Sequence, residues 1–307
     1  MKDTGYTHRT GFVAGSSPVY FEELIPSTDI RAAVVMIHGG AHSGACFMTT
    51  PDNRSGWAYD FLRRGYQVIV PDWPGIGRSG YINTDELDAD RVVAGLGNLI
   101  DFVGIPVILL VHSMSGPFGF ALVELKRSLI TSLVAVAPGP PRNIQPVPKI
   151  IYQDQEMIEV QGVALRWAIK KSGLIPPSDK LIFEKLIGSS TRFPVQAIDN
   201  YKASLLALPS GLLCQRQNVM GSQLKVKDGS AFEDFPVLII TGSNDTDHPR
   251  LADAETASWL ASLGAKITFK FLSDANIGGN GHMLMLEDNS TETAGIILDW
   301  LDGGGKE

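Results

Sequence analysis

Hydrophobic residues occur along this chain in short, nearly continuous runs separated by longer stretches of mixed polarity. Several runs are rich in Val and Ile, the pattern of strands buried on both faces. They predict strands over 12–13 with 19–24, 32–37, 67–70, 106–111, 133–137, 237–241 and 267–272. Between them, the sequence predicts helices over 56–64, 85–103 (capped by Thr84), 114–126, 251–263 and 291–301. This alternation indicates an α/β fold whose mostly parallel central sheet is flanked by helices.

Residues 139–235 interrupt the alternation. After a Pro-rich beginning, apolar residues recur three and four positions apart over 152–173, 179–188 and 195–208, which predicts helices. A plain loop of this length is uncommon in a compact domain. We therefore predict a core domain formed by 1–138 and 236–307, with 139–235 as an inserted helical cap above the edge of the sheet where ligands bind.

Composition narrows the class of protein. The chain has 307 residues with a formal charge of −7, and its mean hydropathy is +0.07, which excludes a disordered or collagen-like chain. The mild acidity argues against nucleic acid or an anionic membrane as the main partner. No apolar run approaches ~18 residues and the first residues lack the apolar core of a signal peptide, so we expect no membrane span and a cytoplasmic location.

Two cysteines, Cys46 and Cys214, are too few for a disulfide framework, and no Cys/His cluster has the spacing of a zinc site. We expect buried free thiols in a reducing compartment. The sequence predicts no bound metal and no organic cofactor.

The strongest chemical signal is the sequence VILLVHSMSG at 107–116, where a buried strand runs into Ser113 and a helix follows. Such a sharp strand–turn–helix, usually Gly-x-Ser-x-Gly, lifts a nucleophilic hydroxyl above the sheet and aims the next backbone N–H, here that of Met114, at the oxyanion. Val111 and Ser115 replace the two glycines, so the literal motif fails. Ser115 is the rival nucleophile, but it lies within the predicted helix.

A second strand ends in His-Gly-Gly at 38–40. Glycines allow a backbone N–H to approach an acyl oxygen closely, as the second oxyanion donor must. Gly40 is the favoured donor, with Gly39 and Ala41 as alternatives. We expect His38 to brace this loop, and His42 has no predicted role.

The base and acid are predicted on loops after the last two strands. His282 lies in a Gly-rich loop ahead of the final helix, where an imidazole can reach the nucleophile and exchange its proton. After the 237–241 strand come Asp245 and Asp247. Asp245 is favoured as the partner of the imidazole, whereas Asp247 could cap the helix that begins near Pro249.

Together these residues resemble the α/β-hydrolase superfamily, most closely an esterase-like subfamily whose nucleophile turn reads His-Ser-x-Ser-Gly. The likeness is carried by HGGAHSGACF (38–47), TPDNRSGWAYDFLRRGYQVIVPDWPGIGRSG (50–80), HSMSGPFG (112–119) and GNGHMLMLE (279–287). The resemblance implies an α/β-hydrolase fold, Ser113 as nucleophile, His282 as base, and oxyanion N–H groups from Gly40 and Met114.

One position departs from that subfamily. There, as in the zearalenone-type lactonases, the acid often follows the strand after the nucleophile helix, and the corresponding residue here is Ala137. Either the acid is Asp245, where other α/β-hydrolases have theirs, or the triad is incomplete.

The leading hypothesis is a serine hydrolase that cleaves a carboxylic ester or lactone through an acyl-enzyme, with Asp245 as the acid. Its small-molecule substrate is expected to be apolar or aromatic, because the cap should line the pocket with many Leu and Ile residues and with aromatic residues, each of which by itself is more often a core residue than a substrate contact: Trp167, Phe183, Phe193 and Tyr201. The alternatives are lyase or cyclase chemistry in the same oxyanion pocket, or an inactive module that binds a small ligand. A homodimer is left open.

Overall fold

Strands and helices alternate through most of the chain. The computed structural model describes residues 5–162 and 166–304. The strands are β1 (Tyr6–Val13), β2 (Val19–Pro26), β3 (Ala33–Ile37), β4 (Gln67–Pro71), β5 (Val107–His112), β6 (Ile130–Val136), β7 (Lys149–Gln153), β8 (Met157–Gln161), β9 (Arg166–Lys170), β10 (Leu174–Ile175), β11 (Leu208–Pro209), β12 (Pro236–Thr241) and β13 (Lys266–Phe271). The α-helices are α1 (Ala45–Met48), α2 (Trp57–Arg63), α3 (Ala89–Val103), α4 (Gly116–Lys126), α5 (Ile198–Ser204), α6 (Ser210–Arg216), α7 (Arg250–Ser262) and α8 (Ser290–Asp299).

The central sheet has eight strands in the order β1-β2-β4-β3-β5-β6-β12-β13. From β4 to β13 every neighbouring pair is parallel, and β1 and β2 complete one edge as antiparallel strands. The carboxyl ends of β3, β5, β12 and β13 therefore lie at one edge of the sheet. Ligand sites of parallel α/β sheets form at that edge.

Both faces of the sheet are covered. Every residue of β3 and of β5 is buried, as the continuous apolar runs predict for strands packed on two sides. On one face, Trp57 of α2 and Ile297 of α8 pack in the core, and on the other face Leu96 of α3 and Phe118 of α4 do so. Fully burying each such side chain stabilises the fold by about 1.5–3 kcal/mol.

One predicted helix begins later than its sequence pattern suggests. The helix predicted to open after Thr84 starts at Ala89, and Asp88 occupies its N-cap position. The Asp88 carboxylate accepts a hydrogen bond of 2.8 Å from the backbone N–H of Arg91. This satisfies a donor that has no partner within the helix, which is why the helix begins at this residue.

The prediction of an entirely helical cap is wrong for its first part. Within 152–173, predicted as a helix, β8 and β9 lie with β7 in a three-stranded antiparallel sheet; residues 163–165 of that stretch lie outside the described residues. The later helical predictions correspond to a π-helical turn at Leu181–Leu186 and to α5.

The division into a core (1–138 and 236–307) and an insertion (139–235) remains our proposal, and its ends at 1–4 and 305–307 lie outside the described residues. Both cysteines are free; Cys46 is buried and Cys214 is half-buried, so the prediction of two buried thiols holds for Cys46 alone. Across 5–162 and 166–304, no helix combines the length and the apolar character needed to cross a membrane.

Candidate active site

Ser113 lies where β5 passes into α4 through a single 3-10 turn, Ser113–Ser115. Its φ of +52° lies in the left-handed region, which costs a non-glycine residue about 1–2 kcal/mol. The strain is held in place by the neighbouring chain, because the Gly139 N–H donates to the Ser113 carbonyl at 2.8 Å. Val111 is accommodated by α4: a β-carbon at Gly119 would lie 2.8 Å from Cγ1 of Val111.

The two serines of this turn have different partners. The Ser113 hydroxyl lies 2.8 Å from Nε2 of His282, whereas the Ser115 hydroxyl donates to the carbonyl of His38. Ser115 therefore joins the nucleophile turn to the end of β3, and Ser113 is the serine that faces the imidazole.

His282 connects Ser113 to Asp245. Nδ1 of His282 lies 2.7 Å from Oδ2 of Asp245, and both side chains are almost fully buried. Because a carboxylate only accepts hydrogen bonds, Nδ1 carries the proton, which leaves Nε2 free to accept the proton of the Ser113 hydroxyl. The arrangement can therefore activate the hydroxyl and stabilise the imidazolium that results.

The second carboxylate oxygen of Asp245 fixes its orientation. Oδ1 accepts hydrogen bonds of 2.9 Å from the backbone N–H groups of Asp247 and His248. Burial opposes ionisation of Asp245, but His282, His248 and these hydrogen bonds together hold the pKa of Asp245 below its ordinary value. Asp245 is therefore an anion at neutral pH.

The loops that carry Asp245 and His282 pack directly on each other. A β-carbon at Gly242 would lie 2.2 Å from the carbonyl oxygen of Gly281, so only glycine fits there. Asn244 N–H also donates to the Asn280 carbonyl at 2.7 Å. This contact sets the spacing of the acid and the imidazole.

The His-Gly-Gly loop after β3 also lies close to Ser113. A β-carbon at Gly39 would lie 3.1 Å from Cβ of Ser113 and 2.6 Å from Nδ1 of His112. Both residues predicted as oxyanion donors, Gly40 and Met114, line the same cavity as Ser113 and His282.

His38 and His42 hold that loop in place through their ring nitrogens. Nδ1 of His38 donates to the Gly39 carbonyl at 2.8 Å, and its Nε2 accepts from Trp73 N–H at 3.2 Å. Nδ1 of His42 donates to the Gly40 carbonyl at 2.7 Å, and its Nε2 lies 3.0 Å from the Tyr201 hydroxyl. Burial lowers the pKa of His38 to about 4 and that of His42 to about 3. Both rings are therefore neutral at pH 7 and hold the loop through their hydrogen bonds.

Asp247 does not have the helix-capping role suggested as its alternative. Helix α7 begins at Arg250, and its N-cap position is held by Pro249. The Asp247 carboxylate instead forms an ion pair of 2.5 Å with Lys185 at the wall of the cavity. Lys185 and His248 hold the pKa of Asp247 far below its ordinary value, against the effect of burial.

Ala137 is buried directly after β6 with a φ of +42°. This is the position where the His-Ser-x-Ser-Gly subfamily often has its acid. The backbone N–H of Ala137 donates to the carbonyl of Ile240 at 2.9 Å. The carboxylate that meets His282 is that of Asp245.

The cavity beside Ser113 has a volume of about 80 Å³. Its further lining residues come mostly from the 181–217 region: Leu181, Lys185, Leu186, Leu208, Leu213, Arg216 and Gln217. Leucines from this region supply the aliphatic part of the expected lining, but the aromatic part of that prediction is wrong, since none of the four aromatic residues, all of them described, lines this cavity. Phe193 and Tyr201 are buried in the core, Phe183 is exposed, and Trp167 lines a different cavity.

The sequence model of the Alpha/beta hydrolase family matches residues 34–296. That span contains β3 apart from its first residue, every later strand of the central sheet, and all the residues that meet at Ser113. The chain belongs to this family. The predicted fold class and the prediction of an α/β-hydrolase enzyme are therefore confirmed.

Curated relatives of this α/β-hydrolase are distant. "Probable secreted lipase phiG" of Fungal sp. (strain ATCC 74256) is 24% identical over 347 aligned positions, which cover 92% of this chain and 85% of that protein. "Protein ABHD14A" of Rattus norvegicus is 27% identical over 135 positions, or 44% of this chain and 54% of that protein. The chain thus spans about half the length of the ABHD14A relative.

Solved structures share the fold over nearly the whole chain. A novel bacterial esterase matches with a TM-score of 0.57 at 19% identity, covering 97% of this chain and 93% of that one. A thermophilic esterase from Thermogutta terrifontis matches with a TM-score of 0.60 at 16% identity, covering 97% and 98%. At these identities the likeness establishes the fold.

Sequence reasoning missed several residues of the α/β-hydrolase site. Glu287 anchors the His282 loop by accepting hydrogen bonds of 2.6 Å from Gly281 N–H and from the Asn280 amide, and burial raises its pKa. His112 contacts the His282 carbonyl through Nε2 at 3.1 Å. Glu287 had a local signal, because it lies five residues after His282, at the end of the apolar run that follows the Gly-rich loop.

The site also holds a group of potential metal ligands that are not close together in the spacing typical of a sequence motif. Ligand atoms of Asp247, His248 and His282 lie within 4.8 Å of one another. Each of these residues already has a protein partner, since Asp247 pairs with Lys185, His248 with Asp253, and His282 with Asp245.

Proposed function

We propose that this α/β-hydrolase is a serine hydrolase of small carboxylic esters, with lactones as the related alternative. The observation that carries the proposal is the continuous hydrogen-bond chain from Ser113 Oγ through His282 to Asp245, with contacts of 2.8 and 2.7 Å. The names of a lipase relative and of esterase neighbours support the same reaction class.

In the proposed reaction, Ser113 Oγ attacks the ester carbonyl while its proton passes to Nε2 of His282. The tetrahedral intermediate collapses, the alcohol leaves with the proton from His282, and an acyl-Ser113 ester remains. A water molecule then gives a proton to His282 and attacks the acyl group, and the acid and free Ser113 are regenerated. Asp245 keeps the imidazole oriented and stabilises its positive charge.

Backbone N–H groups of Gly40 and Met114 are proposed to bind the oxyanion. Their place beside Ser113 in one cavity, and the tight contact of the glycine loop with the Ser113 turn, support this role. Removing one such donor typically costs about 10²–10³ in rate.

The cavity volume of about 80 Å³ is small beside the ~300–1,000 Å³ of pockets that enclose drug-sized ligands. A short acyl group fits this volume better than a long fatty chain. We therefore expect acetyl and butyryl esters to be cleaved faster than octanoyl esters. We expect the apolar part of the substrate to contact the leucines of the cavity wall. A cytoplasmic location and a homodimer remain predictions.

The deciding test is Ser113→Ala, assayed with 4-nitrophenyl acetate and butyrate and with small lactones. Loss of the nucleophile should lower kcat by about 10⁴–10⁶, while the circular dichroism spectrum and Tm are retained. A fluorophosphonate probe should modify the wild-type peptide that contains Ser113 and leave the variant unmodified.

Ser115→Ala is the discriminating comparison, because it removes the neighbouring hydroxyl of the same turn. Its effect on kcat should be far smaller than that of Ser113→Ala. The exposed Ser258→Ala on α7 serves as the unchanged control. Wild-type activity in Ser113→Ala, or probe attachment at Ser115, would refute the nucleophile assignment.

A further inference from the structure

Arg216, the last residue of α6, lines the cavity that contains Ser113 and His282. Leucine side chains form much of the remaining wall. Arg216 is half-buried, so part of its hydrating water is removed and an anionic partner would stabilise its charge.

The other ionic groups near this cavity have partners within the protein. Lys185 pairs with Asp247 at 2.5 Å, Asp253 with His248 at 2.9 Å, and Asp245 with His282 at 2.7 Å. By contrast, within 5–162 and 166–304 no carboxylate forms an ion pair with Arg216, and no acceptor is hydrogen-bonded to its guanidinium. Burial lowers the pKa of Arg216, and the more distant Asp247 and Asp253 offset that effect only in part.

The guanidinium has a defined place relative to the nucleophile. A β-carbon at Gly139 would lie 2.9 Å from Nε and 3.1 Å from Cζ of Arg216, so the guanidinium rests in the space that this glycine leaves open. The N–H of the same Gly139 donates to the Ser113 carbonyl. Arg216 therefore lies next to the chain segment that supports the nucleophile turn.

We propose that Arg216 binds an ionised carboxylate of the substrate, so that the preferred substrate is a small ester carrying a second, free carboxylate. This inference rests on the proposed ester hydrolysis. A guanidinium stays charged at neutral pH and presents a planar fork of N–H donors that matches a carboxylate. One carboxylate on the substrate gives the Arg216 charge a partner. A short group that carries this carboxylate also fits a cavity of this volume.

The test compares esters that differ only in charge. Methyl hydrogen succinate and methyl butyrate carry a carboxylate or a methyl group at the same place in the acyl chain. Acetoxyacetate and ethyl acetate do the same in the alcohol part. Hydrolysis is followed by pH-stat titration in wild type, Arg216→Met and the control Arg142→Met, which removes an exposed arginine that does not line this cavity.

Wild type should favour the charged member of at least one pair by ~10-fold or more in kcat/KM, the scale of a hydrogen bond to a charged group. Arg216→Met should lose that preference, so that the ratio of kcat/KM for the charged and the neutral member of each pair falls towards one, and Arg142→Met should retain it. Equal rates for both members of both pairs in wild type, or an unchanged preference in Arg216→Met, would overturn the proposal.

A binding experiment separates this inference from the proposed function. Calorimetric titration of Ser113→Ala with methyl hydrogen succinate and with methyl butyrate reports affinity without turnover. The same titrations of the double variant, Ser113→Ala with Arg216→Met, report the contribution of the guanidinium to that affinity. If esters are not hydrolysed and Ser113 is not labelled, the proposed function fails, while anion binding that depends on Arg216 still supports the carboxylate site. Equal affinity of the single and double variants for the anion rejects the carboxylate site whatever the outcome for hydrolysis.

Discussion

Asp245 and Asp247 lie two residues apart, yet their carboxylates have different partners. Asp245 faces His282 and accepts two backbone N–H groups, whereas Asp247 is paired with Lys185 at the cavity wall. Only the first arrangement can hold the imidazole with its Nδ1 protonated. The two residues therefore allow the acid role to be separated from a general effect of negative charge.

Asp245→Asn should lower kcat by up to about 10⁴, because an amide no longer selects the required tautomer of His282 or balances its charge. Asp247→Asn leaves that contact intact and should cost far less. Both are measured as kcat on 4-nitrophenyl acetate at pH 8, with Tm as the check on folding. A larger loss in Asp247→Asn than in Asp245→Asn would transfer the acid role to position 247.

How far the site could be predicted depended on whether each residue had a local signal. Ser113, Asp245 and His282 each follow a recognisable strand, and parallel strands bring their carboxyl ends to one edge, so the three could be predicted to meet. Arg216 and Lys185 lie in the 139–235 region, where no strand of the central sheet fixes their direction. Their position at the cavity follows from packing between segments that are distant in sequence, which local patterns do not report.

At the scale of elements, the strands and flanking helices of the central sheet were predictable because their apolar runs are long and buried on two faces. The helix predicted over 152–173 is wrong because apolar residues are so frequent there that they also match a three- and four-residue spacing. Its strands instead follow a two-residue alternation, with buried Ile158 and Val160 separated by Glu159, and buried Ile169 between Ala168 and Lys170. Branched Ile and Val favour that extended state.

The turn over residues 71–80, after β4, is held by contacts of a buried carboxylate that the hydrophobic pattern of the sequence does not predict. Asp72 is fully buried and accepts hydrogen bonds from Gly44 N–H, at 2.8 Å, and from the backbone and guanidinium of Arg78. These contacts hold the pKa of Asp72 below its ordinary value although burial opposes this. The hydrogen bond from Gly44 N–H thereby connects the 71–80 turn to the start of α1.

Arg78→Met should lower the free energy of unfolding by roughly 2 kcal/mol, because it leaves the Asp72 carboxylate buried without its cation. The figure is below that for a fully buried pair, since the Arg78 side chain is 39% exposed and water screens it. Urea denaturation at pH 7 measures the change. Arg250→Met, which breaks the exposed pair with Asp274, is the matched control and should leave the curve unchanged; equal effects of the two variants would contradict the prediction.

At the scale of the whole molecule, buried neutral histidines link the stability of the fold to pH. Burial lowers the pKa of His38 to about 4 and of His42 to about 3, and it holds the pKa of His112 well below its ordinary value. His112 is the last residue of β5, directly before Ser113, and His38 and His42 lie in the loop after β3. In the unfolded chain these rings take up protons near their ordinary pKa of 6.5.

Stability should therefore fall as the pH is lowered from about 6.5 towards 4, because the unfolded chain binds protons there that the native site excludes. A pKa lowered from 6.5 to about 4, as for His38, corresponds to roughly 3 kcal/mol across that window. His248 has a raised pKa, so its contribution has the opposite sign, being present at low pH and lost as the pH rises above 6.5. Unfolding free energies from urea titrations at pH 6.5, 5.5 and 4.5 measure the slope. His42→Gln should flatten it and the exposed His8→Gln should not; a wild-type slope that is flat between pH 6.5 and 4.5 would mean that these rings are accessible to protons in the native fold.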